Sequence, residues 1–147
     1  MRSQSVEFSN AKGATLSGVL EIPAGDAPAW AIFAHCFTFS KKSLAASRVA
    51  RGLAERGIGV LRFDFTGLGD SSGDFSTSGF SSDVADLVSA AQWLSASGRT
   101  VSLMIGHSLG GAATIVAAAQ LDEVKAVATI GAPSDASHVI AQFQERV

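Results

Sequence analysis

Ser108 stands between two glycines in GHSLG (106–110), with the apolar run TVSLMIGH (100–107) leading to it and SLGGAATIVAAAQL (108–121) running on from it. The first run reads as a buried strand and the second as a helix, the setting that a G-x-S-x-G serine nucleophile requires. To turn from strand to helix within about one residue, the chain must put the serine into a strained backbone conformation. Residues two before and two after the serine then nearly touch, so side chains in place of Gly106 and Gly110 would clash. Such a bend holds the Ser108 hydroxyl out over the edge of the sheet, and the Leu109 amide, at the helix start, is ready to stabilise an oxyanion. The competing assignment is a helix cap, because serine is a favoured N-cap and glycines suit a tight turn.

A serine hydroxyl needs a base within hydrogen-bond reach and an acid that orients the base. The chain has three histidines, His35, His107 and His138. His107 directly precedes Ser108, and neighbouring strand residues point to opposite faces, so it reads as a packing residue. Only His138 follows Ser108, with Asp135 just before it in GAPSDASH, beyond a strand expected at 124–132. Their short separation at a helix start leaves His138 hard to aim at the Ser108 hydroxyl. Cys36 beside His35 suggests a thiol nucleophile, but adjacent positions rarely meet. No cluster has zinc-ligand spacing, and neither a metal nor a cofactor is expected. The glycine-rich FTGLGDSSG (65–73) lacks the lysine of a P-loop and has Ser72 where G-x-G-x-x-G needs its third glycine. It reads instead as a loop bordering a pocket, with Asp64 and Asp70 in capping and turn roles.

The elements that must position these groups alternate along the chain. SVEF (5–8) and TLSGVLEIP (15–23) open it as strands, the second half-buried, and AWAIFAH (29–35) is a strand buried on both faces. Further strands are expected at 58–65, 100–107 and 124–132, and helices at 43–57, from near Ser82, at 108–121 and in the tail from Ser134. Ser82 is a candidate N-cap there, with Asp83 and Asp86 in a first turn whose dipole favours acids. Alternation at this spacing predicts an α/β fold: an open, mostly parallel sheet of about six strands with helices on both faces. Ligands bind such sheets outside the carboxyl ends of the strands.

With 147 residues, 47% hydrophobic and 16% charged, the chain reads as one globular domain over 1–147. A net charge of −2 without a basic stripe argues against nucleic acid as a partner. No stretch approaches the ~18 apolar residues of a membrane span, so no membrane is expected. The single cysteine excludes an internal disulfide, and the absence of an apolar leader makes the cytoplasm the default location.

The stretch AIFAHCFTFSKKSLAASRVARGLAERGIGVLRFDFTGLGDSSGDF, then FSSDVADLVSAAQWL and the GHSLG turn, resembles the α/β-hydrolase fold. HCFTFSK with FDFTGLGDSSGDF is most similar to the hydrolase half of bacterial proteins fused to a peroxide-reducing OsmC-like domain, whose OsmC-like half nothing here resembles. The resemblance implies hydrolysis of a small-molecule ester or other acyl bond through a Ser108 acyl-enzyme. It makes Leu109 the donor of one oxyanion amide, with the second from Cys36 or Phe37 and Phe37 preferred. HCF sits where the family commonly has His-Gly, so His35 becomes a structural tie for this loop.

In this fold the nucleophile is followed by the acid and then the histidine. The family's histidine follows the last strand of the sheet, and the last strands are missing from this pattern. Three expectations therefore stand side by side. The chain is a truncated hydrolase domain whose acid and base lie elsewhere, as the uncovered final strand suggests. Alternatively Asp135 and His138 serve, since some lipase-like members take their acid from this loop. Or the fold is a binding or dimerisation module without turnover, pairing as a homodimer through its exposed edge strand.

Overall fold

The structure is a computed structural model that describes residues 1–35, 44–73 and 79–131. Strands form at Arg2–Ser9 (β1), Thr15–Ile22 (β2), Ala29–Ala34 (β3), Ile58–Phe63 (β4), Val101–His107 (β5) and Ala126–Ile130 (β6). Helices form at Leu44–Glu55 (α1), Phe80–Ala96 (α2) and Leu109–Ala119 (α3). The sheet order is β1-β2-β4-β3-β5-β6. β1 and β2 form an antiparallel hairpin, β2 joins β4 antiparallel, and β4, β3, β5 and β6 run parallel. This is the expected six-stranded, mostly parallel α/β sheet.

Alternation along the central strands sorts side chains between two cores. Trp30, Ile32, Ala34, Leu61, Phe63 and Met104 pack with α2 and α3 on one face. Ala31, Phe33, Val60 and Ile105 pack with Ala46 and Ala50 of α1 on the other. Strands buried on both faces need apolar residues at successive positions, which is why AWAIFA and its neighbours read as unbroken runs.

Four local expectations change. The opening strand is longer than SVEF: all eight residues of β1 pair with β2, from Arg2 opposite Ile22 to Ser9 opposite Thr15. Only Phe8 of β1 is buried, so backbone pairing rather than an apolar pattern sets its length. β2 is not simply half-buried, because Glu21 is fully buried where it pairs with Arg62 Nη2 at 3.0 Å. β4 stops at Phe63, and Asp64 and Phe65 leave the sheet as the start of the glycine-rich loop. α2 begins at Phe80 with Gly79 as its N-cap, not at Ser82, and makes no side-chain cap hydrogen bond. Phe80 packs against the α2–α3 core, which draws the helix start three residues earlier than the capping preference suggests.

Candidate active site

β5 delivers its C-terminal end beside those of β3 and β4, because all three run parallel. There the chain turns directly from His107 through Ser108 into Leu109 of α3. Ser108 has φ 56° and ψ −126°, and it is the one non-glycine residue with positive φ among the described residues. Backbone in this region costs about 1–3 kcal/mol for a residue with a side chain and persists only where its surroundings enforce it.

The surroundings here are glycines in contact. A methyl group on Gly106 would lie 2.4 Å from Gly111 Cα and 2.5 Å from the Gly110 carbonyl oxygen. One on Gly110 would lie 2.5 Å from the His35 carbonyl oxygen and 2.6 Å from that of Ala34. The end of β3 is thus pressed onto the first turn of α3. The turn is fastened to β6 by the Ser108 N–H, which donates to the Ile130 carbonyl at 2.8 Å.

Ser108 occupies the N-cap position but its side chain makes no cap hydrogen bond. The capping alternative therefore has no bond to support it. Ser108 is half-buried, and the Leu109 amide beside it is among the first-turn donors that no carbonyl of its own helix can reach.

His35 is buried at the end of β3 and its Nε2–H donates to the Phe63 carbonyl at 2.8 Å. Its Nε2 also lies 3.8 Å from Asp64 Oδ1, and its ring packs edge-on against Phe65. These contacts tie the end of β3 to the end of β4. His107 is half-buried and lies opposite Ile130 in the β5–β6 ladder. Cys36, Phe37, Asp135 and His138 lie outside the described residues, as does the expected tail helix.

The glycine-rich loop from Asp64 to Gly73 borders this rim. Asp64 is fully buried, and its Oδ2 accepts the Asp70 N–H at 3.1 Å. Gly69, at φ 52°, lies so close that a Cβ there would be 2.3 Å from Asp64 Oδ2. The Ser71 hydroxyl accepts the Ser17 N–H at 2.9 Å and that of Ser72 the Thr15 N–H at 2.7 Å, stitching the loop to β2. The expected turn role of Asp64 describes its bond to the Asp70 N–H, in which Asp70 takes part through its backbone.

A link among Asn10, Thr66 and Asp86 is not foreseen from the sequence. Asp86 Oδ2 accepts both the Thr66 N–H at 2.8 Å and the Thr66 hydroxyl at 2.7 Å. Asn10 Nδ2 donates to Asp86 Oδ1 at 3.2 Å and to Thr66 Oγ1 at 3.0 Å. Asn10 in a hairpin turn is the one legible signal, and it names no distant partner. Asp83 lies in the first turn of α2 as expected, but the expectation for Asp86 changes. Asp86 falls in the second turn, and burial, followed by the Asp86 charge, pushes the Asp83 carboxyl up to about 8. Among the described residues no group of three or more His, Cys, Asp and Glu could hold a metal ion, and no helix is long and apolar enough to cross a membrane.

An open α/β sheet with a strained serine at the head of a helix defines a class of fold shared with hydrolases. Residues 31–145 match the Alpha/beta hydrolase family, and the chain belongs to it. It is similar to the esterase domain of a Rhodothermus marinus protein, with 44% identity over 95% of this chain and 54% of that one, TM-score 0.77. It is also similar to an α/β serine hydrolase without lid from Xanthomonas campestris, with 28% identity over 91% of this chain and 63% of that one, TM-score 0.79. An esterase of Pyrococcus furiosus is 26% identical over 90% of this chain and 50% of that one, TM-score 0.80. The chain thus spans roughly half to two thirds of the length of these structures. A search of curated proteins gives no match.

Proposed function

We propose that this chain carries the nucleophile of a serine esterase acting on small-molecule esters. Ser108 Oγ attacks the carbonyl carbon as its proton passes to a histidine, and the carbonyl oxygen takes up the negative charge. The Leu109 N–H and a second amide, from Phe37 in preference to Cys36, receive that oxyanion. Collapse of the tetrahedral intermediate breaks the ester C–O bond, and the histidine returns the proton to the leaving alcohol. Water, activated by the same histidine, then releases the acid and restores the Ser108 hydroxyl.

The observation that carries this reading is the Ser108 backbone at φ 56°, ψ −126°, held strained with no side-chain cap bond to compensate. Relatives described as esterases, one of them 44% identical, support the substrate class. The acid and base of the relay fall outside the described residues. Asp135 and His138 are the candidates within these 147 residues; residues corresponding to the remainder of the longer relatives are the other source. Cytoplasmic location and fusion to an OsmC-like domain belong to the same proposal.

A fluorophosphonate probe followed by peptide mass spectrometry tests the reading. In a chain extended to the length of its relatives, the adduct is expected on Ser108 and lost in Ser108→Ala; no adduct there overturns the assignment. The 147-residue protein alone is expected to hydrolyse esters weakly. Brisk hydrolysis abolished by His138→Ala would place the relay within this chain.

A second reading rests on β6, all five residues of which are exposed at the sheet edge. It makes the fold a non-catalytic module that dimerises by pairing this strand with its copy. A stable dimer in size-exclusion and scattering, without probe labelling in the extended chain, would favour it.

A further inference from the structure

Three segments distant in sequence meet at the start of α2. Through Asp86, 1% exposed, the helix holds the Thr66 N–H and hydroxyl of the glycine-rich loop and the Asn10 amide of the β1–β2 turn. One carboxylate thus joins three elements, and each bond to it is charge-assisted. Asp83 lies three residues earlier, at the spacing that makes side chains neighbours on a helix. It is 3% exposed, yet its side chain receives no hydrogen bond among the described residues. Two buried carboxyls therefore share one stretch of helix, one fully engaged and the other not.

The charged groups on the elements packed around them offer little compensation. The β1–β2 turn contributes Lys12, which is exposed and lines, with Ser81, Ser82 and Asp86, a shallow depression of about 240 Å³. The glycine-rich loop adds Asp64 and Asp70, both acidic. β1 adds the exposed Glu7 and, at its opposite end, the exposed Arg2, and β5 adds His107 at its end. α3 and β3 have no charged residue.

We infer that Asp83 and Asp86 form a proton-operated latch, in which a neutral Asp83 lets Asp86 hold the glycine-rich loop and the β1–β2 turn against α2, and ionisation of Asp83 releases them. The released proton goes to solvent, and the device is independent of the hydrolase reading. Its pH window follows from the sign of the shift. Asp83 is raised from 3.8 to about 8, so the closed latch holds this proton more tightly than the open one. The stability it contributes is complete near pH 4 and is lost as the pH rises to about 8, after which the dependence levels off.

Hydrogen exchange of the Thr66 amide in the 147-residue protein, corrected for chemical exchange, tests the latch. Protection is expected to fall up to about tenfold per pH unit between pH 5 and 8, then to flatten. The amide of Ile32, at the centre of the sheet, is expected to change less. Asp83→Asn, and Asp83→Ser as a second neutral variant, should abolish the slope at Thr66, whereas Asp86→Asn should leave Thr66 poorly protected at every pH. A flat profile in the unaltered protein, an unchanged slope in a folded neutral variant, or equal slopes at Thr66 and Ile32 would each overturn the proposal. Should both neutral variants fail to fold, the Thr66–Ile32 comparison in the unaltered protein still decides.

Discussion

β4 and β5 end on the same rim of the sheet, and each must be left abruptly, but the two exits are built from different physics. At the end of β5 the bend is enforced by contact: Gly106 and Gly110 leave no room for a methyl group, and Ser108 is held at φ 56°. At the end of β4 the bend is enforced by hydrogen bonds to buried carboxylates, Asp64 binding the Asp70 N–H and Asp86 binding Thr66. The first exit responds to volume and is indifferent to charge. The second is also close-packed, at Gly69 against Asp64, but it rests in addition on hydrogen bonds to charged side chains. A site that must hold one oxygen in one place benefits from the first kind, whereas a bordering loop can use the second.

The close-packed exit of β5 is most vulnerable at Gly110. Gly110→Ala puts a methyl 2.5 Å from a backbone carbonyl oxygen that no side-chain rotation can move. A loss of about 3 kcal/mol or more is expected in denaturant unfolding, with little dependence on pH. Asp86→Asn should cost less, about 2 kcal/mol, because it weakens three charge-assisted bonds without creating a clash.

A finer test separates strain from function at Ser108. Ser108→Gly should be more stable than Ser108→Ala by about 1 kcal/mol, because only glycine adopts a positive φ freely. Equal stabilities would mean that the turn is not strained. The smallest effect is expected on the exposed edge: Val127→Lys in β6 should shift stability by no more than about 0.5 kcal/mol. If the protein dimerises through this strand, the same substitution should lower its apparent mass in solution.

Both exits were partly legible in the sequence, to different depths. GHSLG states its own geometry, since the glycines that permit the bend are the residues adjoining the serine. The glycine-rich loop shows where the chain turns, but not that Asn10, Thr66 and Asp86 are joined, because their partners lie 20 to 76 positions apart. β1 was legible only in part for a related reason: seven of its eight residues are not buried, so no apolar pattern marks its length. The start of α2 misled capping logic because Phe80 is drawn into the core.

The alternation of strands and helices, the faces they bury and the bend at Ser108 are written in the order of residues, since they follow from side-chain periodicity and from the space a glycine leaves empty. The strand order, the burial of Glu21 against Arg62 and the environment of Asp83 arise only once the chain is folded. The physical reason is that burial and ion pairing belong to pairs of distant residues. A carboxyl acquires its desolvation and its partners only when the rest of the chain closes around it.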